Sequence, residues 1–369
     1  RTLIVTLDAP KPYFLLKLTY PVAFVVDRRD VEKGGKDWMY SPNASGPYRV
    51  EEYVEMEKLV FSVNKRYHTP PAIPYIGYLI NPQGSPISRY EDDSLDIVGV
   101  GGETALRVRR AEDPLHAELH SVPGLCTTFI AMSNTLPPFD DPKVRQAFLL
   151  AFDREIYNQR IDRGLNLPAL SLLPPAMPGY LAENAVPAYD PEAAKATLAE
   201  SRYAADMPEV VLETAGFGGE DDSLISALAD MWRKTLGIDI RVVFLDPINY
   251  SEAALEYPAQ LSASGWCADY PDPQNFFDPL FRTGAEFNEA GYTNPELDAL
   301  LAQAGVEADP QRRLVLYQQA EKLLLEDFAL LPLVHGINEM LVKPRILGLV
   351  TSPLIDVNLY ELSIDPNVP

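Results

Sequence analysis

Gly265-Trp266-Cys267-Ala268-Asp269-Tyr270-Pro271-Asp272-Pro273-Gln274-Asn275-Phe276-Phe277 is the stretch on which the reading of this chain turns. Gln260 to Trp266 reads as a strand that runs into a loop of prolines and aspartates. An aromatic at a strand end with an acid two to three residues on is what a pocket floor needs, and in α/β folds ligands gather at the carboxyl ends of strands. Spacing alone leaves two readings open: Asp269 lines a pocket, or Trp266 is core and Asp269 caps the next helix. Upstream, Leu224, Ala227, Leu228, Met231, Trp232 and Leu236 fall on one helical face after Asp222, and Gly237 ends that helix. Ile238, Ile240, Val242 and Phe244 then alternate as a half-buried strand. Helix, strand, helix, strand describes an α/β lobe.

Further out, helix starts are marked by an N-cap acceptor before a proline at the first helical position: Asp141-Pro142, Asp190-Pro191, Asn294-Pro295 and Asp309-Pro310. After Asp141, the residues Val144, Ala147, Phe148, Ala151, Phe152 and Ile156 share one face. The chain before residue 125 reads as sheet with loops. It opens with a β-branched run, Thr2 to Leu7, expected to be a strand, and Ser45-Gly46-Pro47-Tyr48 forms a turn ahead of alternating Val50, Tyr53, Leu59, Phe61 and Val63. The end returns to strands at Met340 to Val342 and Leu347 to Val350. There is no internal repeat.

Composition narrows function. The 31 Lys and Arg against 53 Asp and Glu leave 369 residues with a formal charge of −22, which repels phosphate backbones and argues against nucleic-acid binding. The greasiest stretch, Leu323 to Val334, is interrupted by Glu326 and Asp327 and is too short to span a bilayer. Thirty-four prolines, about twice the usual share, imply fixed turns. Arg1 in place of Met leads us to expect a trimmed or processed chain, so compartment is not legible at the amino terminus. Cys126, Cys267 and four scattered histidines have no structural-zinc spacing, and neither metal nor organic cofactor is expected. Val98-Gly99-Val100-Gly101-Gly102-Glu103 matches neither phosphate-loop fingerprint and reads as a flexible turn. No nucleophile elbow or paired-histidine zinc motif is present, so no residue is assigned a catalytic role. Asn43-Ala44-Ser45 matches a glycosylation sequon by chance.

The pocket stretch strongly resembles the pocket strand of solute-binding protein family 5, the oligopeptide- and dipeptide-binding proteins of bacterial ABC importers. Five other matches follow in order. Ser45-Gly46-Pro47-Tyr48 resembles the family's Gly-Pro-Tyr turn, Asn64-Lys65-Arg66-Tyr67 its Asn-x-x-Tyr, and Asp93-Ser94-Leu95-Asp96-Ile97 its Gly-x-x-Asp-Ile element with Asp93 in place of Gly. Asn134 with Pro138-Phe139-Asp140-Asp141-Pro142-Lys143-Val144-Arg145-Gln146-Ala147 resembles a family helix start, and Val342-Lys343-Pro344 its closing strand.

The resemblance implies a two-lobed, type II periplasmic-binding-protein-like α/β fold whose lobe one lacks its N-terminal part. Residues 1–125 and 338–369 would be the remainder of lobe one, and residues 126–337 a complete lobe two. It implies a non-enzymatic receptor, acting as a monomer outside the cytoplasm (periplasmic or extracellular, with a lipid anchor as one option). Such a receptor binds a peptide or peptide-like solute between its lobes and delivers it to an ABC permease. By the same resemblance Asp269 takes the ligand's α-ammonium group, the backbones of Gly265 and Cys267 pair with its main chain, and Trp266 supplies apolar contact. Cys126 and Cys267 resemble positions joined by a disulfide in some members. One departure matters: places where oligopeptide binders carry basic residues read Ala263, Asp221 and Asp162 here, and an acid repels a peptide carboxylate. The ligand's far end is then uncharged, cationic, solvent-exposed or held elsewhere. The alternatives from other classes are a hydrolase using an Asp/Glu pair, a receptor for a sugar or other non-peptide solute, and a sensory or chaperone-like use of the fold.

Overall fold

A computed structural model of the chain describes residues 2–40, 42–80, 84–214, 223–245, 259–354 and 357–368. Asp221 and Asp222, singled out above, lie outside the described residues. In chain order the elements are α1 (Phe14–Lys17), α2 (Arg28–Gly34), β1 (Tyr48–Val54), β2 (Lys58–Val63), β3 (Tyr75–Leu79), α3 (Pro86–Glu91), β4 (Ile97–Gly99) and α4 (Gly102–Val108). Then follow β5 (Leu119–Met132), α5 (Pro142–Leu150), α6 (Arg154–Ile156), β6 (Leu167–Pro168), α7 (Pro191–Ala199), β7 (Val210–Thr214), α8 (Ser223–Leu236) and β8 (Ile240–Phe244). The last principal elements are β9 (Leu261–Cys267), α9 (Gln274–Leu280), α10 (Pro295–Ala304), α11 (Pro310–Glu326) and β10 (Leu330–Val342). Contacts divide the chain into two units, one of Arg1–Lys17 with Pro123–Ile337, the other of Leu18–Val122 with Asn338–Pro369.

The first unit is built on strands in the order β10-β5-β9-β7-β8. β5 and β9 are antiparallel from Cys126↔Cys267 to Met132↔Leu261, and β7 runs parallel to both β8 and β9. Two parallel strands joined by a helix, here β7-α8-β8, form the expected α/β crossover. Its core is aromatic: Phe148 packs between Phe139 and Trp232 at centroid distances of 4.8 and 5.1 Å. The buried Trp232 satisfies its indole by donating to Phe148 O at 2.9 Å.

All four marked helix starts form as read. Asp141, Asp190, Asn294 and Asp309 each accept a backbone N–H in the first turn of α5, α7, α10 and α11, with proline opening each helix. Gly237 adopts φ +72° at the end of α8, a conformation that L-residues with a Cβ resist. The expected faces need two corrections. Helix α5 stops at Leu150 and Asp153 caps a new short helix, which turns Ile156 outward to 50 % exposure. On α8 the buried positions are Ile225, Leu228 and Trp232, while Leu224 faces solvent.

The second unit contains the antiparallel meander β1-β2-β3 and the pairing of β4 with Met340–Val342 of β10. The Gly-Pro-Tyr turn is braced by Asn64, whose side-chain amide donates to Gly46 O and whose backbone N–H donates to Pro47 O, both at 2.8 Å. Tyr90, Val98, Val108 and Leu341 form a buried cluster, with Lys343 above the Tyr90 ring and paired to Asp93 at 2.7 Å. Arg109 grips Glu339 with two bonds of 2.8 and 2.9 Å.

The amino-terminal reading is corrected in two ways. Thr2 to Leu7 is not a strand, because no described strand pairs with it; Leu3 and Ile4 are 87 % and 83 % exposed. The region before residue 125 is not sheet and loop alone, since α1 to α4 interrupt it. At the carboxyl end, Ile346–Leu347 is a two-residue strand that stops short of Val350.

Candidate functional site

The edge of β9 is the starting point. In an antiparallel ladder, residues alternate between pairs that bond to each other and pairs whose backbone groups face outward. Beyond the two ends of the β5–β9 register, Ala268 N–H donates to Leu125 O at 3.0 Å and Ser133 N–H to Gln260 O at 2.9 Å. Counting inward from either bond makes Cys126↔Cys267 and Thr128↔Gly265 outward pairs; Met132, outward by the same count, donates to Ala329 O on its far side. The backbone N–H and C=O of Gly265 and Cys267 therefore point away from β5. On that side β7 pairs with β9 only at Leu261 and Ser262. Among the described residues no strand covers Ala263 to Cys267, and both Gly265 and Cys267 are exposed. Among the described residues this leaves an open ladder five residues long.

Cys126 and Cys267 form a disulfide across the last register pair, with Cα atoms 4.0 Å apart. It fixes where the ladder ends and the loop begins. Trp266 lies on the opposite face of β9, half-buried, with its ring 5.4 Å from Phe287.

The loop after β9 holds Asp269 half-buried through Asn275, which sits 6 % exposed at the start of α9. Asn275 Oδ1 accepts from both the Asp269 N–H (2.9 Å) and the Trp266 indole (3.2 Å), and its amide donates to Asp269 Oδ2 at 3.2 Å. Asp269 has no cation in ion-pair distance among the described residues. It is not the helix cap: Pro273 holds the N-cap position of α9, and Asp272 just before it accepts from the Gln274 N–H at 2.9 Å. Asp272 is itself buried and held by Arg313, whose two guanidinium nitrogens donate to its two oxygens at 2.7 Å each. Arg313 also donates to Ala304 O and to the Tyr317 hydroxyl, and lies between the rings of Tyr13 and Tyr317. Beside it the Tyr270 hydroxyl donates to Gln274 Oε1, Gln274 to Asp278, and Arg282 to Asp278. Burial drives the Tyr270 hydroxyl well above the usual phenol range, so it stays a neutral donor.

A second pair of acids lies along the Trp266 face of β9. Glu213, 6 % exposed at the end of β7, accepts from Ser262 Oγ at 2.8 Å; the Ser264 hydroxyl donates to Glu289. Burial raises the Glu213 carboxyl, Ser262 partly offsets this, and the charge of Glu289 raises it again. The exposed Glu289 is likewise raised by desolvation, with the Ser264 hydrogen bond opposing it.

Of the positions expected to meet the ligand's far end, Ala263 lies half-buried on β9 opposite Ile130. Asp162 does not face a ligand: it is 4 % exposed and closes its own turn by accepting from the backbone N–H and the amide of Asn166 at 2.8 and 2.7 Å. Asn275, Arg313 and the Glu213–Glu289 pair were not identified from sequence. Asn275 lay inside the quoted stretch. Arg313, by contrast, is 41 residues from Asp272 and carries no local signal.

Residues 1–288 match the model of the bacterial extracellular solute-binding proteins, family 5 Middle. The periplasmic oligopeptide-binding protein OppA of Escherichia coli is 29 % identical over 359 residues, 94 % of this chain and 65 % of its own length. The probable deoxycholate-binding periplasmic protein YgiS of the same organism is 30 % identical, covering 94 % of this chain and 66 % of its own. The chain thus spans about two thirds of the length of these relatives. Among solved structures, the oligopeptide-binding protein OppAIV of Borrelia burgdorferi superposes with a TM-score of 0.77 at 24 % identity, over 98 % of this chain and 73 % of that one. The murein tripeptide binding protein MppA of Escherichia coli gives 0.75 at 24 % identity, over 97 % and 72 %. The fold is accordingly the two-lobed α/β fold of the type II periplasmic binding proteins. From the family model, the ordered motifs and the strand-end loop after β9 together, the chain belongs to the bacterial extracellular solute-binding proteins of family 5.

Proposed function

We propose that the chain is an extracytoplasmic receptor that binds a peptide or peptide-like solute with a free amino terminus and passes it, unaltered, to the membrane permease of an ABC importer. One observation carries this reading: the outward backbone groups of Gly265 and Cys267 lie on a strand edge that no described strand covers, and it leads to a half-buried Asp269 with no cation beside it among the described residues. An extended ligand added to that edge gains main-chain hydrogen bonds whatever its side chains, and its ammonium group completes Asp269 with a charge-assisted bond. Trp266 offers apolar contact beside it. The disulfide supports an oxidising compartment. The oligopeptide- and murein-tripeptide-binding relatives favour a peptide, whereas YgiS is named for deoxycholate and Haemophilus influenzae heme-binding protein A for heme.

The test is calorimetric titration with paired peptides, free and N-acetylated. Asp269→Asn is expected to weaken free-amino peptides by about 10- to 100-fold, the worth of a hydrogen bond to a charged group, while sparing the acetylated ones. Equal loss for both members of each pair refutes the role of Asp269. Shortened peptides after incubation would instead mean a hydrolase, and binding of bile acid in place of peptides a receptor for another solute.

A further inference from the structure

The uncovered edge of β9 has a definite end. Because β7 occupies the same side of β9 at Leu261 and Ser262, any ligand lying along residues 263 to 267 runs end-on towards the carboxyl end of β7, where Glu213 sits. Side chains of such a ligand alternate between the two faces of the sheet. One in register with Ser264 projects on the face carrying Ser262, Ser264 and Trp266. That face offers an unusual set of groups. Trp266 and the 47 % exposed Phe287 present aromatic surface 5.4 Å apart, Glu289 stands beside Ser264, and Glu213 stands beside Ser262.

Glu213 supplies the independent sign of a missing partner. It is 6 % exposed, Oε1 is bonded to Ser262, and Oε2 is buried with no hydrogen-bond partner among the described residues. A buried carboxylate oxygen left unbonded is costly, and native proteins keep few of them. No Lys or Arg forms an ion pair with Glu213 or Glu289 among the described residues. A ligand cation would satisfy both.

Resting on the peptide reading above, we propose that this face is a side-chain pocket selective for lysine or arginine at one interior ligand position. The alkyl stem would lie against Trp266 and Phe287 and the charged head between Glu289 and Glu213. The second charge of such a ligand would be positive.

The measurement is a positional scan by calorimetry on the whole protein. The probes are tetra-alanine and the tetrapeptides carrying one lysine, or one isosteric norleucine, at each position in turn. The quantity read is the lysine-to-norleucine affinity ratio, in which any general effect of a substitution cancels. At one interior position this ratio is expected to exceed tenfold in the native protein and to fall towards one in both Glu289→Gln and Glu213→Gln. A ratio near one at every position, with tetra-alanine still bound, overturns the pocket and leaves the peptide receptor standing. A lysine preference unchanged in both variants overturns it as well. Failure of every tetrapeptide to bind removes the peptide reading itself and the pocket with it.

Discussion

Replacing Arg313 by Met is the most demanding test of how the loop bearing Asp269 is held. Arg313 is 6 % exposed and makes four hydrogen bonds: two to Asp272, one to Ala304 O and one to the Tyr317 hydroxyl. Methionine fills much of the volume but leaves the Asp272 carboxylate buried, with the Gln274 N–H as its remaining partner. Removing one member of a buried ion pair costs about 3–5 kcal/mol, because the orphaned charge stays desolvated. Asp272→Asn keeps the oxygen that accepts from the Gln274 N–H and discards the charge, so on top of Arg313→Met it should restore at least half of that loss. Asp272→Asn alone should be destabilising, since it strands the guanidinium. Urea unfolding followed by tryptophan emission in a Trp38→Phe background reads the right unit, for the other two tryptophans, Trp232 and Trp266, both lie in it. The reasoning is refuted if Arg313→Met shifts stability by less than about 1 kcal/mol, or if the double variant is no better than the single one.

Two further outcomes are expected. Replacing Cys126 and Cys267 by Ser removes a cross-link spanning 141 residues, which loop-closure entropy values at about 5 kcal/mol as an upper figure. The urea midpoint of the native protein should drop correspondingly on reduction, and that of the double Ser variant should not respond to reductant. Glu321, fully buried on α11, accepts from Leu173 N–H and the Asn184 amide, yet burial pushes it up to about 7 from 4.5. A carboxyl raised on folding is neutral in both states below its unfolded value and is held ionised at a penalty above its folded one. Stability should therefore fall between about pH 4.5 and 7, by about 3 kcal/mol from this group. The difference in unfolding free energy between Glu321→Gln and the native protein should follow that window, and a flat difference would count against it.

The legible parts of the fold were those where a local group meets a local need. Asp141, Asp190, Asn294 and Asp309 each face an orphaned N–H two or three residues away, so proline and acceptor in sequence were enough. The β-branched run Thr2 to Leu7 had strand propensity but needed a distant partner strand, and none of the described strands supplies one. Helices α3 and α4, six and seven residues long, are too short to show a period. Strand β10 was masked differently: Leu330 to His335 is buried throughout, so its apolar run merges with that of α11. At the site, the strand end and Asp269 stood out in one stretch. The openness of the β9 edge did not, because it depends on where β7 stops pairing, some fifty residues earlier in the chain. The Asp272–Arg313 pair was hidden for the same reason.

Each unit is sewn from separate lengths of chain, and this bears on how the molecule is made. A polypeptide emerging amino end first presents residues 18–122 long before Asn338–Pro369, which complete the same unit. The partner of β4, Met340–Val342, comes more than two hundred residues after it. Closing so long a loop is entropically slow, and non-local pairing of this kind lowers folding rates. Residues 123–337, by contrast, form one uninterrupted run containing most of β5, all of β7, β8 and β9, and the helices between them. That run is therefore the natural first structure to mature, and β4 must wait until Met340–Val342 has been made.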